Sequence, residues 1–307
     1  MLLCLAVLFL VPMPFPEARV SFFTIENQQN LWSRIGALGV FAIGETFVII
    51  AGGIDLSVGS VIAFLGVVLA QFVALWGWPL SVSIAVVLAA AAAIGIMHGL
   101  LVSKLTIPPF VATLGTMLLL RSQANIISGN NRVPLGTEGF PYLYHGKPLG
   151  FPMPLLLMIG VVALTIPLLR STRLGRYIYA VGANEEATRL SGVNVVLTKI
   201  VTYAACGLLA GLAGLIYTAY TNEGDPQRGM GFELNAIAAA VIGGCSLMGG
   251  QGSVLGTVIG SAILVAILNI LILMKVPMAS NWEGTVVGAV VILAVAFNIL
   301  RQRRGAR

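Results

Sequence analysis

The sequence predicts an all-α polytopic membrane protein of about ten transmembrane helices with glycine-broken segments. Three observations carry that expectation. The 307 residues are 58% hydrophobic and only 9% charged, with a mean hydropathy of +0.98, against about 25% charged residues in a typical soluble domain. Uncharged stretches run over 56–103, 148–169, 200–222 and 234–274, each at or beyond the roughly 20 residues that cross a bilayer. The two longest are divided by turn-forming segments, WGWPLS at 76–81 and GGCSLMGGQGS at 243–253.

Taken in order, the spans are expected at 1–16, 35–52, 57–76, 80–101, 108–128, 151–169, 200–221, 234–248, 253–274 and 284–300. The first is short. It lacks a positive flank and carries prolines at 12, 14 and 16, so it reads as a span rather than a signal peptide. Basic residues in short loops set the orientation. Segment 170–199 holds Arg170, Arg173, Arg176, Arg189 and Lys199, and the tail RQRRGAR adds four arginines. Both are expected in the cytoplasm together with both termini. Loop 222–233, with three acids and one arginine, and loop 129–150 are expected outside. No linker or low-complexity stretch interrupts the chain, so 1–307 reads as a single transmembrane domain.

The net charge of +6 does not point to nucleic acid, because the basic residues sit at the ends of apolar runs and form no patch interleaved with aromatics. Cys4, Cys206 and Cys245 are too scattered for a disulfide framework, and two histidines, His98 and His145, cannot build a metal site alone. No GxxxxGK[ST] phosphate loop, HExxH or clustered nucleophile and base occurs. The chain is therefore expected to carry no catalytic residue, metal or cofactor of its own.

Segment 51–60, AGGIDLSVGS, places one carboxylate among apolar residues. Gly52 and Gly53 weaken a helix there, and Asp55 or Ser57 can cap the next one. Intramembrane acids are functional by default, so a gate or pathway role for Asp55 stands beside the capping role. GGIDLSVG at 52–59 is echoed by GGCSLMGG at 243–250. Repeats of broken segments mark pathways in transporters, which makes Gly243 and Gly244 gate candidates too, although chance similarity between glycine-rich segments explains the echo equally well. Glu45 is the sole charge between Arg34 and Asp55. It must face a partner in the bundle or a wet cavity, and Arg121 is a potential partner for either acid.

The cytoplasmic stretch VGANEEATRLSGVNV reads as a very short helix over 184–191. Asn184 is the N-cap, Glu185 and Glu186 lie in the first turn, Arg189 in the last, and Gly192 is the stop. Such a helix suits docking in a groove of a cytoplasmic partner, or is simply a solvated surface helix.

Four stretches, GGIDLSVGS, PFVATLGTMLLLR, TRLGRYIYAVGANEEATRLSGVNV and AIAAAVIGGCSLMGGQGSVLGTVIGSAIL, resemble the permease subunits of bacterial ABC sugar importers. The ribose-type branch, with its xylose, galactoside and autoinducer-2 relatives, is the most similar. The resemblance runs from about residue 20 to 300. It implies a ten-span permease fold in the inner membrane, paired as a homodimer or with a paralogue, and no enzymatic activity. It further implies a periplasmic sugar-binding protein, and a separate cytoplasmic ATPase that holds ATP and Mg. Segment 182–192 matches the family's coupling region, which implies ATPase contacts for Asn184, Glu186, Ala187, Arg189, Leu190 and Gly192. Glu45 departs from the family, many members of which carry an apolar residue there, and the N-terminus is short. The expected cargo is a monosaccharide, with autoinducer-2 or a nucleoside as alternatives within the family. An ion-coupled secondary transporter using Glu45 and Asp55 is the alternative outside it.

Overall fold

The computed structural model describes residues 13–278 together with 282, 284–289, 292 and 293. Most of the span expected at 1–16, most of that at 284–300, Cys4 and the arginine tail lie outside the described residues. Helix α1 covers Pro16–Phe22, α2 Ile25–Ile50, α3 Val58–Ala70, α4 Leu80–Ser103 and α5 Pro109–Ser128. A single π-turn, Gln71–Leu75, continues α3. Then follow α6 Tyr142–His145, α7 Met153–Ser171, α8 Arg173–Ala183, α9 Glu185–Leu190, α10 Val195–Thr221, α11 Phe232–Ile242 and α12 Val254–Leu273.

Among the described residues, seven helices are long and apolar enough to cross a membrane: α2, α3 with its π-turn, α4, α5, α7, α10 and α12. The expected spans at 57–76, 80–101, 108–128, 151–169, 200–221 and 253–274 match six of them closely. Two differences have physical reasons. The span read at 35–52 begins at Ile25, because Thr24 caps it by accepting from the N–H of Asn27 at 3.2 Å, and the polar turn NQQN that follows is helical rather than loop. The span read at 234–248 is an 11-residue helix, α11, about 16 Å long at 1.5 Å per residue. It stops at Ile242, where Gly243 and a left-handed Gly244 (φ +90°) turn the chain.

Helix α2 is the hub. Residues 35–50 are all buried, and α7, α10, α11 and α12 pack around it. Helix α4 shows how a lipid-facing helix is read. Its buried positions are Ser83, Val87, Ala91, Gly95, His98, Gly99 and Val102, which follow the i, i+3, i+4 repeat of one helix face. The stripe is mostly small, and it presses on Gly207 and Gly211 of α10. In lipid, helices gain little from hydrophobic burial, so close backbone approach through small residues supplies the attraction. A Cβ at Gly95 would strike the backbone of Tyr203 and Ala204.

The two loops expected on the outside meet. Val133–Pro134 (β1) pairs antiparallel with Glu223–Gly224 (β2), Val133 opposite Gly224. Arg132 Nε lies 3.4 Å from Asp225 Oδ2.

Because the α4–α10 contact is backbone against backbone at Gly95, Gly95→Val is expected to lower the thermal stability of the solubilised protein by about 1–3 kcal/mol, the usual range for overpacking. Gly160→Val, at a glycine with open space around it, is expected to melt close to the wild type. Equal melting of the two variants would remove the close-packing argument.

Candidate functional site: the glycine breaks and the capped helix beside them

A helix that ends among packed neighbours must find partners for its free backbone groups within the protein. At the end of α2 the chain turns at Gly52, whose φ of +82° few other residues adopt. The N–H groups of Gly52 and Gly53 donate back to the carbonyls of Ile49 (3.0 Å) and Val48 (2.9 Å). The next segment is extended, and side chains take over. Asp55 N–H donates to Glu45 Oε1 at 3.1 Å, and Thr113 Oγ1 donates to the carbonyl of Ile54 at 3.2 Å. Asp55 Oδ1 accepts from Ser57 N–H at 2.8 Å and from Ser57 Oγ at 2.6 Å. Glu45, Asp55 and Ser57 are 0%, 2% and 1% exposed.

Two sequence expectations are corrected here, those for Asp55 and Arg121, and the alternatives for Glu45 are decided. Asp55 does not cap α3. The residue before that helix is Ser57, which makes no side-chain cap bond, and Asp55 instead closes a turn onto Ser57. The wet-cavity option for Glu45 gives way to a packed one, because its carboxyl is fully enclosed and serves the backbone of the break. Arg121 pairs with neither acid. Its Nη1 donates to the carbonyls of Pro226 and Arg228, both at 2.7 Å, so it braces the 222–233 loop.

His98 is the residue that sequence reasoning missed. It lies on the buried stripe of α4, 1% exposed, with Nδ1 3.6 Å from Asp55 Oδ2. That is a close polar contact, too long for a direct hydrogen bond. The Tyr203 ring stands edge-on to His98, centroids 6.2 Å apart. The available signal was a lone ionisable residue on an otherwise small, apolar helix face within a span.

The second glycine stretch comes to the first. After Gly243 and Gly244, Cys245 N–H returns to the carbonyl of Ala240 at 2.9 Å. Farther on, Gly250 N–H donates to the carbonyl of Ile50, the last residue of α2, at 2.8 Å. The echoed stretches 52–59 and 243–250 are therefore neighbours in space. Gly182, one residue before the end of α8, packs on both: a Cβ there would strike the carbonyl of Ile50 and the backbone N of Gly250.

Helix α9 leaves from this point. Asn184 caps it by accepting from Ala187 N–H at 2.9 Å. Arg189 pairs with Glu185 at 3.1 Å and Glu186 at 3.5 Å, and Lys199 of α10 holds Glu185 at 2.6 Å. Gly192 stops the helix with φ +82°. Thr188 faces inward, whereas Asn184, Glu186, Ala187, Arg189, Leu190 and Gly192 are all exposed. Leu190, at 81%, is an apolar residue standing out from a polar, well-capped helix. A cavity of about 240 Å³ lies between the two features, lined by Gly52, Gly53, Gly182, Asn184, Lys199 and Tyr203 among others.

A bundle of seven long apolar helices among the described residues, with two glycine breaks in contact and a short exposed helix beside them, has the architecture of a polytopic membrane protein. The chain belongs to the family described as branched-chain amino acid transport system / permease component, whose match covers residues 28–295. It is 45% identical over 287 residues to the ribose import permease protein RbsC of Escherichia coli K12, covering 92% of this chain and 88% of that one. It is 38% identical to the inner membrane ABC transporter permease protein YjfF of the same organism (87% and 82% covered). To its D-allose transport system permease protein AlsC it is 34% identical (91% and 85% covered). No solved structure matches the chain at a significant level. The resemblance read from the four motifs is thus upheld, and the chain is a permease subunit of the ABC importer class.

Glu45 matters here as an acceptor for a backbone N–H. Glu45→Gln keeps an oxygen in place and is expected to preserve membrane content and melting temperature. Glu45→Met has similar length but strands the Asp55 N–H in a dry site, which costs about 1–3 kcal/mol. Thermal melts of the solubilised variants check this, and a Met variant as stable as Gln would refute the backbone role.

Proposed function

We propose that this chain is the membrane-spanning subunit of an ATP-driven, binding-protein-dependent importer of a monosaccharide of the pentose or hexose type. The similarity to ribose and allose permeases over nearly the whole chain supports the cargo class. The observation that carries the mechanism is the seat of Gly182. One residue touches both glycine breaks and lies two positions before the N-cap of the exposed helix α9.

In this reading, one domain spanning 1–307 sits in the bacterial inner membrane with both termini in the cytoplasm. It pairs with a second permease protomer, a homodimer in the simplest case, and sugar passes between the two. A periplasmic binding protein delivers the cargo. A cytoplasmic ATPase chain holds ATP and Mg, and its groove receives α9. Leu190 and Ala187 supply apolar contact, and Glu186 and Arg189 supply charge. Closure of the ATPase pair displaces α9. Helix α8 carries the movement to Gly182, and the breaks at 51–57 and 243–253 let α2, α11 and α12 re-angle. Each nucleotide state must contact one permease state better than the other, since a ligand shifts an equilibrium only by its differential affinity. An ion-coupled carrier is less well supported, because Glu45 and Asp55 are engaged with the chain's own backbone and hydroxyls.

Two outcomes are expected. In vesicles holding the permease, its ATPase and its binding protein, uptake of D-ribose or D-allose requires ATP and survives an uncoupler. Uptake that survives ATP depletion but collapses with an uncoupler would overturn the reading, and autoinducer-2 or a nucleoside as the better cargo would revise it. Arg189→Glu places three acids together on α9 and is expected to reduce uptake about tenfold, roughly 1.4 kcal/mol of lost coupling, at normal membrane content. Cysteines at Ala187 or Leu190 should crosslink to the ATPase and not to the binding protein.

A further inference from the structure

We propose that His98 is a positioning residue for transport, anchoring the broken segment 52–57 to helix α4 through Asp55. The inference deepens the importer reading above and rests on it for its functional consequence. Asp55 is held on three sides. Its N–H belongs to Glu45 of α2, and its Oδ1 is occupied twice by Ser57. The remaining oxygen, Oδ2, faces His98 Nδ1 at 3.6 Å. Neither ring nitrogen of His98 makes a hydrogen bond among the described residues. An imidazole enclosed in a membrane bundle without such a bond is costly, and shape alone would be served by leucine or methionine. The Asp55 carboxylate is the compensating group: its Oδ2 faces a ring nitrogen that can carry a proton, in a place where both side chains are almost fully enclosed.

The platform matters as much as the contact. His98 is flanked by Gly95 and Gly99, where α4 meets the backbone of α10 so closely that no Cβ fits. A residue fixed there belongs to the rigid part of the bundle. Asp55 belongs to the part that rests on Gly182 and Gly250 through the end of α2. When α8 moves, an anchored segment carries the load into α4 and α10. A loose one absorbs the movement by local opening. The other charged or titratable groups facing this cluster are Glu45 of α2, Tyr203 and Cys206 of α10 and, farther off, Glu233 of α11. His98 is thus the one basic group among them.

The test uses the full-length permease with His98→Leu and His98→Asn. Asparagine places an N–H donor near the position of Nδ1, and leucine places none. Hydrogen exchange reads local opening directly. In His98→Leu, amides of 52–57 are expected to exchange about tenfold faster, with α7 unchanged, while His98→Asn stays within about twofold of the wild type. No acceleration in Leu, or equal acceleration in Asn, overturns the anchor. In vesicles with the ATPase and binding protein, His98→Leu should still hydrolyse ATP but carry about tenfold less D-ribose per ATP, and Asn should restore the ratio. A merely structural role would lower hydrolysis and uptake together and leave the ratio unmoved, which overturns the role in transport. Normal exchange differences with no D-ribose carried by the wild type support the anchor and count against ribose as the cargo.

Discussion

A helix that ends among packed neighbours has to return its backbone groups to the protein, and the architecture here depends on how α2 does so. Where the chain past Gly52 is enclosed, each N–H and C=O left by the break needs a built partner. Two N–H groups fold back on the helix itself. The third, that of Asp55, is received by the carboxyl of Glu45, ten residues earlier and about one and a half turns before the end of α2. The free carbonyl of Ile50 is taken by Gly250 from the far half of the chain. A single interruption thereby ties α2 to its own interior, to α3 through Ser57 and to the loop before α12.

That solution requires small residues wherever backbones meet. Gly182 lies against Ile50 and Gly250, Gly243 against Gly256, and Gly95 against Tyr203. Contacts of this kind are stiff, because backbone cannot rotate away as a side chain can, and interiors packed in this way pass displacement on rather than absorb it. The breaks are the exception, since their turns rest on left-handed glycines and side-chain hydrogen bonds. The molecule thus combines stiff helix pairs with a few places where direction can change. Helix α9 follows α8 with only Asn184 between them, and Gly182 of α8 rests on both breaks.

The polar residues of the bundle fall into two groups with different physics. Arg121, Arg132, Asp225 and Arg228 brace the paired loops around β1 and β2, where their partners are carbonyls and partly exposed charges. Exposed ion pairs of that kind contribute little each. Glu45, Asp55 and His98 are enclosed, and a buried polar group left without its partner is costly. The first group holds the paired loops, whereas the second specifies one geometry of the break.

Composition and apolar run length by themselves determined the class, because the bilayer imposes a length and a polarity that only long uncharged helices meet. Local chemistry determined the short helix at 184–191, since Asn184, Glu185, Glu186, Arg189 and Gly192 act on their own backbone within one or two turns, and α9 forms there. The four long motifs determined the family. Tertiary structure alone decided the rest. Whether 234–248 crosses or stops at Ile242 depends on what Gly243 packs against, and that is Gly256, thirteen residues on. Whether Arg121 serves an acid or a carbonyl depends on where loop 222–233 lies. The meaning of Asp55 depends on Glu45 from one helix and His98 from another, 43 residues away in sequence and 3.6 Å in space. Periodicity gives the direction in which a side chain leaves its own helix, but the partner it meets is set by the packing of the others.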